Sequence, residues 1–165
     1  MTICYELAKK KDLPTIVAIY NQTISLQTVT ADLHPVTVAE RTAWFDSFTA
    51  DKYPLWVIKS DQEIIGWLDL SPFYGREAYQ HTAEISIYLD QKARGQHIGS
   101  QALKFAETQL KALDLENVVA FIFKQNEPSI RLFTKSNFSQ WGLLPQVAEI
   151  EGKLLDLVIM GKHFS

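Results

Sequence analysis

The stretch Glu84-Ile85-Ser86-Ile87-Tyr88-Leu89, followed by Arg94-Gly95-Gln96-His97-Ile98-Gly99-Ser100, reads as a strand running through a glycine-containing turn into a helix start. That order builds an anion site. The first N–H groups of a helix have no internal partner and the macrodipole is positive there, so main chain alone can hold a pyrophosphate. Along the strand, alternation puts Ile85, Ile87 and Leu89 on one face and Glu84, Ser86 and Tyr88 on the other. A carboxylate therefore sits beside a phosphate cradle, which points to a held phosphorylated cofactor and a proton removed next to it.

Working outward, strands and helices alternate without repeats, low-complexity tracts or linkers. Residues 2–6 are a candidate first strand. Asp12 is a candidate N-cap, with Leu13-Pro14 in the first turn and Ile16, Val17, Ile19 and Tyr20 at helical spacing. Thr37 and Glu40 form a capping box ahead of a second helix reaching Phe48. Residues 55–59 and 64–70 are extended, joined by a hairpin loop at 60–63, and residues 71–79, with Pro72 and Gly75, form an irregular loop. Ile98, Leu103, Phe105, Ala106, Leu110 and Leu113 trace the third helix, and residues 118–123 form a strand. Asn126-Glu127-Pro128-Ser129 opens a fourth helix, Asn137 stops it, and a hairpin pairs residues 139–144 with 154–160. The expected class is mixed α/β (α+β).

At 165 residues the chain has the length of one domain, 1–165, able to bury a sizeable core without staples. Cys4 is the only cysteine, which excludes an intrachain disulfide and a cysteine-based zinc site and suits a reducing cytoplasm. Histidines 34, 81, 97 and 163 lack metal-ligand spacing, so no metal is expected. The N-terminus shows no basic segment followed by an apolar run, and no apolar stretch reaches about 18 residues, so neither export nor a membrane partner is expected. A net charge of −3 without a basic block argues against nucleic acid.

Arg94-Gly95-Gln96-His97-Ile98-Gly99 resembles the Arg/Gln-x-x-Gly-x-Gly/Ala signature of the GNAT acyl-CoA N-acyltransferases, and the element order fits that fold from end to end. Within the superfamily the chain is similar to the phosphinothricin and methionine sulfoximine acetyltransferase branch. The segments behind this are Ile19-Tyr20-Asn21, Tyr53-Pro54, Thr82-Ala83-Glu84-Ile85-Ser86-Ile87-Tyr88-Leu89, Asn126-Glu127-Pro128-Ser129-Ile130-Arg131-Leu132 and Leu155-Asp156-Leu157. The resemblance implies acetyl-CoA as donor, a small amine as acceptor, a homodimer, and a mixed central sheet flanked by helices and splayed at the cofactor site between the central strand and residues 118–123. It assigns Ile87, Tyr88 and Leu89 to the pantetheine arm, Arg94, Gly95, Gln96, His97, Ile98, Gly99 and Ser100 to the pyrophosphate turn, Asn126 to the arm's other side and Lys135 to its far end. Two departures stand out. His97 replaces the signature's middle glycine, where a side chain crowds the diphosphate or forces an unfavourable backbone angle. Phe133 stands where many members have a tyrosine able to protonate the departing thiolate, leaving that step to water or to no assigned group.

The chemistry needs a base for the ammonium acceptor and a donor for the oxyanion. Glu84 is the candidate base, an ordinary strand-surface carboxylate being the competing reading, and the backbone N–H near Ile87 is the candidate donor. Ser86 shares the Glu84 face and is assigned to the acceptor. Arg76 is the candidate for an acceptor carboxylate because guanidinium binds carboxylate in a bidentate pair, against the reading of a solvated loop charge. Tyr74 and Tyr79 are candidate pocket walls or loop-packing aromatics. His81, three residues before Glu84, falls on the opposite face. Trp44, Trp56, Trp67 and Trp141 are expected in the core. Residues 145–150 belong to the acceptor mouth or to a dimer contact. Phosphinothricin, methionine sulfoximine and methionine sulfone are the acceptors implied. Polyamines, aminoglycosides and protein N-termini in the same fold, or a non-catalytic CoA-binding regulator, are the alternatives.

Overall fold

A computed structural model describes residues 2–164. In chain order its elements are β1 (Ile3–Leu7), α1 (Leu13–Asn21), α2 (Val38–Asp46), β2 (Leu55–Ser60), β3 (Glu63–Pro72), β4 (Thr82–Leu89), α3 (Ile98–Gln109), β5 (Asn117–Phe123), α4 (Glu127–Lys135), β6 (Ser139–Ile150) and β7 (Lys153–His163). The strands form one seven-stranded sheet in the order β1-β2-β3-β4-β5-β7-β6. Every neighbouring pair is antiparallel except β4 and β5, which run parallel. The parallel pair is joined through α3, because parallel strands require a crossover.

Period-two alternation sorts the strand side chains into two cores. Trp56 and Ile58 of β2, Leu68 and Leu70 of β3, and Ala83 and Ile85 of β4 pack with Ala102, Leu103 and Ala106 of α3 and Phe133 of α4. On the opposite face, Leu55 and Val57, Trp67 and Tyr88 pack with Ile16 and Ile19 of α1 and Trp44 and Phe45 of α2. The first four residues of β2, Leu55 to Ile58, therefore read as an uninterrupted apolar run because both faces are covered there.

Local signals set most boundaries. The Thr37 hydroxyl accepts the Glu40 N–H at 3.1 Å and the Glu40 carboxylate accepts the Thr37 N–H at 3.2 Å, closing the expected capping box. α2 ends at Asp46, short of Phe48. Asp12 precedes α1, but its carboxylate turns back to accept the Lys9 N–H at 2.8 Å and leaves the first turn of α1 uncapped. The β2–β3 loop is tighter than expected: Asp61 and Gln62 alone turn the chain, with φ of 50° and 75°. Asn137, at φ 68°, ends the α4 segment as expected.

The C-terminal hairpin departs most. β6 continues to Ile150 and β7 to His163, so residues 145–150 lie within a strand, with a register irregularity between Leu144 and Ala148. Trp141 is a second correction. It is 42% exposed on β6, lying across Gly161 of β7, and is not a core residue.

Candidate functional site

The parallel pairing of β4 with β5 covers only Thr82↔Asn117, Ala83↔Val118 and Glu84↔Val119. β4 remains paired with β3 as far as Leu89, and β5 with β7 as far as Phe123, so beyond Glu84 the sheet splits into two blocks. The gap is a cleft of about 600 Å³ between Ile85–Leu89 of β4 and Ala120–Ile122 of β5. Backbone groups of β4 that face β5 there are left without a strand partner and are available to an extended ligand.

At one end the cleft is closed by the turn into α3. Arg94, Gly95, His97, Ile98, Gly99 and Ser100 all line it. Gly95 has φ +75°, and a Cβ there would meet nothing within 4 Å, so the turn leaves open space where an anion approaches the main chain. Gly99 serves packing: a Cβ would come within 3.2 Å of Leu132, the residue through which α4 closes on the first turn of α3. Opposite, Asn126 lines the cleft and caps α4, its side-chain oxygen accepting the Ser129 N–H at 3.4 Å. The cradle, open strand edge and apolar walls fit a cofactor with a pyrophosphate and an extended arm.

Two residues assigned to the cofactor do not line the cleft. The Gln96 amide donates to the Lys92 carbonyl at 2.9 Å and does not line the cleft. Lys135 lies exposed in the last turn of α4, where a cation complements the C-terminal dipole. Phe133 is buried, lines the cleft and meets Phe138 edge-on at 5.0 Å. It presents no proton.

His97 holds the left-handed conformation (φ 62°, ψ 18°) as the cap of α3. The unfavourable angle anticipated for a side chain in this turn is present, at a cost of roughly 1–2 kcal/mol relative to glycine. His97→Gly relieves that strain and adds chain entropy to the unfolded state. The expected result is a stability within about 1 kcal/mol of wild type and unchanged cofactor affinity, read by thermal melting and calorimetric titration. A large loss of affinity would instead mean that the imidazole itself touches the phosphates.

Glu84 sits where the strands part, opposite Ser71 of β3. Burial raises its carboxyl above the usual range. A carboxylate so placed holds a proton more readily near neutral pH, which suits a general base. His81 precedes β4 and binds the Asp114 carbonyl through Nδ1 at 3.0 Å, away from Glu84.

A second, smaller cavity of about 160 Å³ lies on the Glu84 face beneath α1 and α2. Ser86 and Tyr88 line both cavities, which therefore meet at β4. Tyr20, Trp44 and Trp67 form aromatic walls, so two of the core tryptophans also border this space. Arg41 reaches it from α2, held by Asp32 at 2.9 Å and stacked over Tyr20 and Trp44 with its guanidinium carbon 4.9 and 5.5 Å from the ring centroids. The Tyr20 hydroxyl also donates to Asp32, tying the α1–α2 connection across the cavity.

Between β3 and β4, Phe73 packs against Tyr74 at a tilt (4.4 Å), meets Tyr79 edge-on (5.5 Å) and lies near-parallel to Phe121 of the cleft (6.4 Å). Tyr74 is 72% exposed at φ 57°. Arg76 is exposed before a short 3-10 turn, and its guanidinium joins none of the ion pairs among the described residues. Sequence reasoning missed Asp69, Tyr20, Arg41, Phe73 and Phe121 as site residues. Asp69 did leave a signal, as the one charge inside the apolar run 64–70.

Residues 17–138 match the acetyltransferase (GNAT) family. The chain belongs to the GNAT acetyltransferase family. YwnH of Bacillus subtilis, named as a candidate phosphinothricin acetyltransferase, is 44% identical over 160 residues, covering 96% of this chain and 98% of its own. The L-methionine sulfoximine/L-methionine sulfone acetyltransferase of Pseudomonas aeruginosa is 34% identical over 90% of this chain and 87% of its own. Among solved structures, a GNAT phosphinothricin acetyltransferase from Sinorhizobium meliloti in complex with acetyl-CoA superimposes with a TM-score of 0.92 at 30% identity, covering 100% of this chain and 90% of the other. The GNAT fold expected from the signature is thus the fold found, and the protein is an N-acetyltransferase that uses acetyl-CoA. Among the described residues of this acetyltransferase, no helix is long and apolar enough to cross a membrane.

Proposed function

We propose that this GNAT acetyltransferase moves acetyl from acetyl-CoA to the amine of a small amino-acid-like acceptor of the phosphinothricin, methionine sulfoximine or methionine sulfone type. The observation that carries the proposal is the strand parting at Glu84, which leaves a half-buried carboxylate at the last β4–β5 pair, two residues before Ser86, the first β4 residue to border both the cofactor cleft and the small cavity. The names of the relatives support the acceptor class.

In this reading the α3 turn and the open edge of β4 bind and orient acetyl-CoA, which supplies the thioester. Glu84 takes the ammonium proton, directly or through one water, and the nitrogen lone pair is freed for attack on the acyl carbon. The Ile87 N–H donates to the oxygen that gains charge. Phe133 keeps the surroundings dry, and a thiolate leaves without an acid because it is a reasonable leaving group. Arg76 grips the acceptor carboxylate, with Tyr74 and Tyr79 beside it. The protein works as a homodimer in this reading, a state supported by the exposed apolar row of Trp141, Leu143, Val147 and Leu154 on β6 and β7.

The deciding experiment is a thiol-release assay with acetyl-CoA across amino-acid analogues, polyamines, aminoglycosides and peptide N-termini, with product mass to separate transfer from thioester hydrolysis. Turnover of methionine sulfoximine or phosphinothricin above the other amines is expected. Release of thiol without an acetylated product would defeat the proposal. Binding is tested separately by melting: acetyl-CoA at about a hundredfold excess over its Kd is expected to add roughly 2.7 kcal/mol of apparent stability, and analogues without the pyrophosphate far less.

A further inference from the structure

Asp69 lies in the middle of β3, 4% exposed, and it lines the small cavity. Its strand partners are Leu55 on one side and Ser86 on the other. Alternation fixes its direction, since Trp67, two residues earlier, points into the same cavity beneath α1 and α2. No hydrogen-bond donor among the described residues offsets its burial, and the only charge acting on it is the like charge of Glu84. Both effects push its carboxyl well above the ordinary range. Glu84 stands one register step away, diagonal to Asp69 across the β3–β4 pair, where long side chains reach one another. A largely buried carboxyl with no donor among the described residues, turned to a cavity bounded by the same β4 residues as the cofactor cleft, is a site with one partner missing.

The other groups around the cavity define that partner. Arg41 faces it from α2 but is already paired with Asp32, and Tyr20 from α1 is bonded to the same Asp32. Tyr88 stays protonated, its hydroxyl raised by burial. The one carboxyl of the cavity left without a partner is therefore Asp69, which takes up a negative charge most readily when a cation enters, and the rings of Tyr20, Trp44, Trp67 and Tyr88 add the π surfaces that favour a cation. An ammonium has three donors and no acceptor. Asp69, the Ser86 hydroxyl and Glu84 offer three acceptors along two adjacent strands.

We propose that Asp69 is the ammonium-binding residue of the acceptor site, holding the substrate's R–NH3+ in the small cavity beside Glu84 and so selecting cationic primary amines. The proposal rests on the acetyl-transfer reading above. One N–H bond of the ammonium breaks as the proton passes to a Glu84 carboxylate oxygen, and its electron pair stays on nitrogen. Asp69 is negative while the ammonium is bound, any proton it held in the empty site passing to solvent, and it acts by position.

The test is Asp69→Asn, which preserves shape, beside Glu84→Gln. In the asparagine variant the KM and the calorimetric Kd for methionine sulfoximine, or for whichever primary amine wild type acetylates best, are expected to rise at least tenfold while the acetyl-CoA KM stays within about twofold. Glu84→Gln is expected to lose kcat instead. The melting temperature of Asp69→Asn is expected to equal or exceed that of wild type, because a buried carboxyl that can ionise without a partner has been replaced by a neutral amide of the same shape. The sign over pH follows: a folded-state pKa raised above the unfolded value makes wild-type stability fall as pH climbs from about 4 through the folded pKa. Asp69→Asn removes its share of that fall. An unchanged amine Kd, or a variant that melts several degrees lower and also loses acetyl-CoA, overturns the assignment and leaves Asp69 a structural residue. Failure of wild type to acetylate any amine is a different outcome: it overturns the acetyl-transfer reading, and the acceptor role of Asp69 with it.

Discussion

Glu84→Gln is expected to lower kcat by about a hundredfold or more, the scale of a lost general base, with little change in acetyl-CoA affinity. The substitution keeps the side chain's length and its capacity to accept a hydrogen bond, and it sits where β4 leaves β5, so the strand pairs at 82–84 remain. It removes only the ability to take a proton. Because burial raises the Glu84 carboxyl, the acidic limb of the wild-type rate profile is expected above the ordinary carboxylate range and is expected to be missing from the residual activity of the variant. Steady-state rates from about pH 5 to 9 at saturating acetyl-CoA measure both effects. Near-normal turnover in the glutamine variant would make Glu84 an ordinary strand carboxylate.

Arg76→Ala is expected to cost roughly 1.5 to 3 kcal/mol of transition-state binding for a carboxylate-bearing acceptor, about one to two powers of ten in kcat/KM. The guanidinium is exposed in the β3–β4 connection and engages no carboxylate among the described residues, so it is free to pair with a ligand. Decarboxylated analogues are expected to lose far less, because they never make the contact, and acetyl-CoA binding is expected to be spared. Equal losses for acid and amine would trace the effect to the loop, where Phe73, Tyr74 and Tyr79 pack together, and would remove Arg76 from carboxylate recognition.

The elements that carry the cofactor cleft were legible because their signals are local. The β4 alternation, Gly95 and Gly99 in the turn, and Asn126-Glu127-Pro128-Ser129 at the start of α4 each act within a few residues of themselves. The acceptor side was legible only in part. Arg76, Tyr74 and Tyr79 stood out as polar and aromatic residues of a loop, whereas Tyr20, Arg41 and Trp44 looked like ordinary members of amphipathic helices. Nothing within α1 or α2 reveals that these side chains converge on Asp69 of a strand more than 20 residues further on. The β6–β7 hairpin was underestimated for a related reason. Pro145 reads as a strand breaker, yet the irregularity between Leu144 and Ala148 takes up the disruption and lets pairing resume to Ile150.

By itself the sequence determined the mixed α/β class, the strand-turn-helix anion cradle, the capping of α2 and α4, and the faces on which Glu84, Ser86 and Tyr88 lie. All of these follow from dihedral preference, side-chain alternation and unsatisfied helix ends, which act over short separations. The tertiary structure alone decided that β4 and β5 part after Glu84, that two cavities meet at Ser86 and Tyr88, and that Asp69 is buried beside Glu84 without a donor. Those features depend on how the β1–β4 block and the β5-β7-β6 block diverge and on which helix covers which face. Such placements are set by packing between distant segments, and a carboxylate's proton affinity follows from the dielectric and the charges that packing assembles around it.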